Sequence, residues 1–598
     1  MTNGTGLDRT RDRPRVRESA HSCASLLALV LAGGAWGATQ GRVTDLNGAP
    51  LAQAMVTLTK SAPAPGATAT TVFTDSTGAF SFPADTPPGT VLVRLLDYRQ
   101  IGGAAPASAA AMTLLMRPEA NQAGTAPASA YLKDMKDAAH REALVMTCVA
   151  CHQLPAPEVR AYAKLLDDTP STQSADAREL AWTAIVKQMN YVSNVEFGRA
   201  GNLVPSGENV YSGGAPGPTA KILTQALRGP LQEVRGYRYG APLLVTAHTV
   251  IREFEVAPPN AVREAVPFRG TGYLYAADVS ANRLIRIDTR SGALKDYPIP
   301  GKDLWGPHTL VPGADGIWVS AFFPGALMRF DPRAEQWKLW HLNQPGGAPV
   351  GLHDLSFDPD HQLMTDHHGR VWFSDIVNNA VGWLDPASGK SGEFKIPPVP
   401  GRTGGEQVYG LAMSPDGTHV WYCQLGISSF GSFNTETLKF ETHVEFVSPT
   451  AGPRRMSMSE DGVLYLALYG AGQLAAYDTK AGRMIGIYDL PDRASAPYAT
   501  SWDPIRKVVW IPTSNADVIY RFDPRTHGIG LLPLPREGSF LRMVHVDRST
   551  GDLVTSYANI VEHVRGPRMA LLIDPGDGAV TAAAQATARA AQTPEATR

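Results

Sequence analysis

The chain carries almost no net charge: 54 Lys and Arg stand against 56 Asp and Glu, and only 18% of the 598 residues are charged, against roughly 25% in an average soluble chain. Neither nucleic acid nor an anionic membrane surface is indicated as a partner by such a balance. Long hydrophobic runs are missing too. The apolar run from Leu26 to Ala32 is too short to span a bilayer, and no later stretch approaches about 18 apolar residues, so no membrane span is expected. Cysteine is scarce, with four residues at 23, 148, 151 and 423. A zinc site wants about four ligands, and these positions do not form one cluster in the sequence.

What the chain does have in excess is turn residues. Gly and Pro number 57 and 47, about 17% together where roughly 12% is usual, while aromatics stay at 8%. This composition fits a turn-rich β protein rather than a disordered one. At about 100 to 200 residues per domain, the length predicts three or four units. Residues 1–37 read as an export signal: Arg9, Arg11, Arg13, Arg15 and Arg17 precede the apolar run, and Ala35 and Gly37 stand before a cleavage point at Ala38. The expected location is the periplasm or another exported compartment.

From 38 to 117 the pattern alternates. Val43, Val56 and Leu58 are separated by turns at Gly48–Pro50 and Asp75–Gly78, as in short antiparallel strands. This stretch resembles the carboxypeptidase regulatory-like (transthyretin-like) sandwich in Gly41, Val43, Asp45, Gly48, Pro50, Ala54 and Val56, and again in Thr74, Asp75, Gly78, Phe80 and Phe82. The resemblance implies an accessory module without catalytic residues. Residues 118–130 are small and aperiodic and read as a linker. From 131 to 225 a helical region with its connection follows. Asp176 and Glu179 have capping-box spacing, and Trp182, Ile185 and Met189 share one helical face.

Within that region stands "CVACH", Cys148 to His152. Cys-X-X-Cys-His is the attachment pattern of covalent haem c: two thiols make thioethers to the vinyl groups, and the histidine binds iron. A redox dithiol or a disulfide is the alternative that export permits. The region resembles a small cytochrome c domain. The resemblance implies a methionine as sixth ligand, and Met189 is the only methionine between His152 and Met328. Haem iron would then be held by His152 and Met189, at a potential suited to accepting electrons.

From 249 to 575 the chain repeats. A turn residue recurs at Asp288, Asp331, Asp385, Asn434, Asp478, Asp523 and Asp574, spaced by 43, 54, 49, 44, 45 and 51 residues. Seven four-stranded units predict a seven-bladed β-propeller. The last unit lacks an outer strand, and "TVIREFEVAPP" at 249–259 is an orphan that supplies it, closing the ring. Residues 576–598 have no strand pattern and read as a disordered tail. The expected fold is therefore mainly β, a seven-bladed propeller preceded by a small β-sandwich and a small all-α cytochrome c domain.

Innermost strands of a propeller open at the central channel, where ligands collect. Here the openings carry His308, His353, Tyr409, Arg454, Tyr498 and Arg542, a set suited to an anionic or polar aromatic ligand. The repeats resemble the virginiamycin B (streptogramin) lyase family in "GPHTLVPGADGIWVS", "DHHGRVWFSD" and "YGLAMSPDGTHVWYC". That resemblance implies two histidines and a carboxylate acting with a magnesium ion in an elimination, with His308, His353 and Asp375 at the matching positions. Aspartate there is one methylene shorter than the family's glutamate. The insert "HQLMTDHH" offers His367 and His368 as further metal ligands or as solvated side chains. Three function classes stay open. One is an exported haem oxidoreductase acting on a small aromatic or alcohol substrate and passing electrons to a periplasmic acceptor. The others are a lyase with an accessory haem domain, and a non-catalytic electron-transfer or binding protein.

Overall fold

The computed structural model describes residues 39–59, 66–103, 105–106, 111–150, 152–198, 216–229, 231–256, 261–268, 270–302, 305–322, 325–342, 351–400, 407–559 and 567–577. The export signal, Cys151 and most of the 576–598 tail lie outside the described residues. Among the described residues, no helix is long and apolar enough to cross a membrane.

Six four-stranded antiparallel sheets follow one another along the chain at 262–298, 307–341, 352–395, 408–445, 453–489 and 501–533. A seventh is made of Val544–Val546, Leu553–Ser556, Met569–Asp574 and, returning from far upstream, Val250–Glu255. Each innermost strand packs on the next, and the first, Val262–Phe268, packs on the last, Val544–Val546. The sheets therefore form a closed ring of seven blades, and the upstream strand completes blade seven. In register, Ile251 faces Ile573. The recurring turn residue has a local job in every blade. Asp288, Asp331, Asp385, Asn434, Asp478 and Asp523 accept backbone N–H groups two residues on, as does Asp574 from Gly576. In the first six blades these bonds pin the tight turn between third and fourth strands; at Asp574 the bond follows the last strand.

The sandwich is built from two sheets around Val43, Val56, Leu58, Val72, Phe80, Val91 and Met116. It is not a bead on a string. Strand Thr68–Phe73 pairs antiparallel with Val250–Glu255, Thr71 opposite Ile251. One sheet of the sandwich and blade seven thus form a continuous eight-stranded sheet, in which strands Thr68–Phe73 and Val250–Glu255 cover each other's edge. Met55 and Phe73 of the sandwich belong to the same apolar cluster as Ile251, Leu571 and Ile573 of the blade.

Four helices follow: α1 (Ala138–Cys148), α2 (Pro157–Asp168), α3 (Ala175–Gly198) and α4 (Pro216–Ala226). Their core, with Leu144, Val145, Val149, Trp182, Val186 and Leu223, is continuous with propeller residues Tyr409, Leu425, Tyr469 and Tyr498. Met146 of α1 seats on Gly452 and Gly470, where any Cβ would collide with its side chain. Buried Glu142 accepts hydrogen bonds from Ser448 (2.6 Å) and Thr450 (2.7 Å) of the propeller.

Three local expectations are corrected. Residues 118–130 connect the two regions but are not a solvated linker: Gln122, Ala126, Ala128, Ser129 and Ala130 are buried, and Gln122 bonds both Asp97 and the Tyr237 backbone. Small residues occur there because the strap packs closely. The N-terminus of α3 is capped by Ser174, whose hydroxyl accepts the Ala177 N–H, not by a box of Asp176 and Glu179. Met189 is 40% exposed, so the buried stripe of α3 is Trp182 and Val186 and does not include it.

Because Ile251 is fully buried in the sheet that joins both modules, Ile251→Ala should cost about 2–4 kcal/mol. Thermal melting should show sandwich and propeller losing stability together; a propeller transition that stays in place would contradict the shared sheet.

Candidate functional site at the channel mouth

In five successive blades the innermost strand breaks register at its second and third residues: between Val262 and Glu264, Pro307 and Leu310, Leu352 and Leu355, Val408 and Leu411, and Pro453 and Met456. A bulge of this kind re-aims side chains that strict alternation would send to opposite faces. The pairs concerned are Arg263–Glu264, His308–Thr309, His353–Asp354, Tyr409–Gly410 and Arg454–Arg455. A facing side chain on the second strand accepts the bulged N–H. Ser320 takes Thr309 (3.0 Å), Ser374 takes Asp354 (2.9 Å), and the Cys423 thiol takes Gly410 (3.2 Å). The same atoms donate onward to the next blade: Ser374 to the Tyr409 carbonyl (2.7 Å) and Cys423 to the Arg454 carbonyl (3.0 Å). Burial pushes the Cys423 thiol up to about 12, against the backbone bond from Gly410, so it stays protonated and able to donate.

Below this row lies an ion network. Arg455 of blade five reaches Glu264 of blade one (2.5 Å), Thr309 of blade two (2.6 Å) and Asp354 of blade three (3.6 Å). Glu264 in turn accepts the Leu310 N–H, and Asp354 the Leu411 N–H. Burial raises the Asp354 carboxyl to about 6, opposed by Arg455.

Above it sits a cluster of rings and guanidinium groups. Tyr409 and Tyr498 share a hydrogen bond of 2.6 Å between their hydroxyls. Arg454 donates to Tyr409 (3.0 Å) and Arg542 to Tyr498 (2.8 Å), and the Arg454 guanidinium lies 4.1 Å from the Tyr498 ring centre and 4.2 Å from that of Tyr469. His353 packs on Tyr409 with ring centres 3.6 Å apart, and His308 follows 4.3 Å from His353. All six side chains predicted from the strand openings are at most 2% exposed and come together here. Burial alone would raise the Tyr498 phenol, yet Arg542, Arg454, Arg263 and Arg455 outweigh it and bring it down to about 7. Burial, with those arginines, holds His308 and His353 well below the usual imidazole range. Both are therefore neutral, and Tyr498 is the group poised to exchange a proton near neutrality. His308 Nε2 and both ring nitrogens of His353 are buried without a hydrogen-bond partner.

Directly over this cluster runs the segment that contains Cys148 and His152. The Val149 carbonyl accepts a hydrogen bond from the Tyr469 hydroxyl (2.6 Å), and the Ala150 carbonyl from Arg542 (3.4 Å). Gln153 donates to Asp517 (2.8 Å), and Asn515 brackets Leu154 through both its backbone groups. Cys148 closes α1 as a free thiol, pushed up to about 11 by burial against a bond from Thr147. The Nδ1–H of His152 donates to the Gln153 carbonyl (2.7 Å), which fixes the ring and leaves Nε2 as the lone pair for a metal. Cys151 is outside the described residues.

Asp375 does not join the histidines. Its Oδ1 accepts the N–H groups of Gly351, Val377 and Asn378, and its Oδ2 the Asn378 side-chain amide. The carboxylate is consumed in holding its own turn. His367 and His368 lie on the surface, both against Glu436 (3.3 and 3.1 Å). Among the described residues no three His, Cys, Asp or Glu side chains converge as a metal site. The residues around His308 and His353 do not fit a magnesium ion: the near charges are guanidinium groups, and the one carboxylate adjoining His353, Asp354, is tied to Arg455. The sequence reading missed Arg263, Glu264, Thr309, Asp354, Arg455 and Tyr469. A signal was present in the tandem polar pairs "RE", "HT", "HD" and "RR", since two polar neighbours inside an apolar inner strand mark a bulge.

Residues 38–114 match the carboxypeptidase regulatory-like domain. No curated protein matches the chain. Among solved structures, a streptogramin B lyase is 18% identical with a TM-score of 0.45, covering 55% of this chain and 98% of its own. A virginiamycin B lyase from Staphylococcus aureus is 15% identical with a TM-score of 0.45, covering 54% and 99%. At such identity the likeness is one of fold, and no residue role is carried across.

Removing Arg455 strands two buried carboxylates. Arg455→Met should destabilise by about 3–5 kcal/mol, and adding Glu264→Gln and Asp354→Asn should recover much of it in denaturant titrations. Because the folded Asp354 carboxyl titrates near 6 rather than at its ordinary 3.8, its contribution to stability is full below pH 3.8 and is lost as pH rises through 6. Asp354→Asn should flatten the stability profile across that window.

Proposed function

We propose that this chain is an exported c-type haem oxidoreductase that takes electrons from a small aromatic or alcohol substrate held at the propeller mouth and passes them to a periplasmic acceptor. One observation carries the reading: backbone carbonyls inside the Cys148–His152 motif are hydrogen-bonded to Tyr469 and Arg542, and Arg542 also holds Tyr498. Attachment motif and polar cluster thus share hydrogen bonds. The donor set fits a covalent haem, with Cys148 and Cys151 as thioether positions, His152 presenting Nε2, and exposed Met189 as the sixth-ligand candidate. Bound there, haem supplies a one-electron acceptor.

The chain's own residues do the rest. Arg454 and Arg542 neutralise negative charge on a bound oxygen. His353 and His308, held neutral, orient it through their unpartnered nitrogens. Tyr498, with Tyr409 beside it, takes the proton. This replaces a histidine base, which burial makes too weak. A lyase reading finds less support, because Asp375 is engaged elsewhere and, among the described residues, no cation site accompanies the histidines.

Protein matured with the haem-attachment machinery should show a c-type visible spectrum and covalent haem on denaturing gels, and Cys148→Ser with Cys151→Ser should abolish both. Tyr498→Phe should slow substrate-dependent haem reduction about 100-fold or more, the usual contribution of a positioned acid or base. Product formed while the haem stays oxidised would instead favour elimination.

A further inference from the structure

The charge count at the mouth is unbalanced. Arg454, Arg455 and Arg542 are all at most 2% exposed, and the buried carboxylates among them are Glu264 and Asp354. Arg455 accounts for both. Among the described residues Arg454 and Arg542 have no carboxylate partner; their hydrogen bonds go to the Tyr409 and Tyr498 hydroxyls and the Ala150 carbonyl. Buried guanidinium groups cannot shed a proton, so their charge must be balanced from within. A Tyr498 phenolate, supported by the hydroxyl of Tyr409, is the resident anion that supplies part of this balance. Yet three imidazole nitrogens alongside, fully buried, are still without partners, which is costly unless something else fills them.

Resting on the oxidoreductase reading, we infer that the mouth binds an aromatic monoanion, a phenolate or an aromatic carboxylate, and that Tyr498 is protonated as this anion arrives. The head group lies between the guanidinium groups of Arg454 and Arg542 and the nitrogens of His353, and the ring packs among Tyr409, Tyr469 and Tyr498. Two negative charges side by side at buried sites are not tolerated, so the second anion raises the affinity of Tyr498 for a proton. When the ligand is a phenol, its O–H proton passes to the Tyr498 oxygen and no proton is exchanged with solvent. When it is a carboxylate, already ionised, one proton is drawn from solvent. The charged and titratable groups facing Tyr498 are Arg542 and Arg263 from blades seven and one, Arg454, Arg455 and Tyr469 from blade five, and Tyr409 from blade four. His353 and Asp354 of blade three and Glu264 of blade one stand behind them. Of these, the histidines are neutral and the carboxylates are tied to Arg455, which leaves Tyr498 as the proton-linked group.

Calorimetry on the full, haem-loaded chain at pH 8, in two buffers of different ionisation enthalpy, tests this with benzoate, phenol and benzamide. Benzoate should bind with uptake of up to one proton, phenol should bind with none, and the neutral benzamide should bind at least about tenfold more weakly than benzoate, the loss expected for one charge-assisted bond. Tyr498→Phe should bind benzoate more tightly and without proton uptake, since no resident phenolate is left beside the guanidinium groups, and His353→Gln should weaken binding about tenfold with the proton count unchanged. Equal binding of benzamide, no binding of either anion, or proton uptake that survives in Tyr498→Phe would overturn the inference. None of these outcomes uses haem reduction: chain that binds benzoate with proton uptake but is never reduced by any substrate keeps the site and loses the oxidoreductase reading.

Discussion

The guanidinium of Arg455 ties blade five to blades one, two and three, and the rest of the site is arranged around it. A charge so deep inside a protein is tolerated when opposite charge lies beside it. Here Glu264 and Asp354 supply that charge and Thr309 a further acceptor, and each of these partners occupies the third position of a bulged inner strand. The same carboxylates accept backbone N–H groups of the following blades. Ring closure, bulge geometry and ion pairing therefore support one another, and loss of the arginine would leave two acids with nothing to neutralise them.

With Arg455 consumed below, its sequence neighbour Arg454 is free to serve the layer above. That division of two adjacent arginines is what a bulge achieves and a regular strand cannot. It separates a structural layer of matched charges from an upper layer whose cations are matched only by phenol oxygens. An upper layer short of negative charge, bonded to the Val149 and Ala150 carbonyls, is a place where an incoming anion and an incoming proton are naturally linked.

The fused sheet gives the other modules their positions. Strand Val250–Glu255 has blade seven on one side and the sandwich on the other, so the sandwich fixes the chain as it enters the propeller. The strap at 118–130 then runs buried to α1, which docks through Met146 on two glycines and through Glu142 on two hydroxyls. A helical segment anchored this way presents its motif to the mouth in one orientation, which a tethered domain on a solvated linker would not do.

Periodicity and spacing alone determined much of this protein: the mainly β class, seven units counted from a recurring turn residue, and the return of residues 249–255 as the missing outer strand. The six channel residues from His308 to Arg542 were legible for the same reason, since position in a repeat predicts position in a ring. Only the tertiary structure decided what those residues meet. Asp375 read as an acid beside two histidines, but a carboxylate that accepts the N–H groups of Val377 and Asn378 in its own turn is captured locally before it can reach across a channel. Arg455 and Asp354 were hidden because alternation would turn them away, and a bulge is set by pairing with the next strand rather than by the residues themselves. That the motif, the tyrosine pair and the arginines share hydrogen bonds follows from contacts 300 to 400 residues apart, and such contacts leave no trace in local pattern.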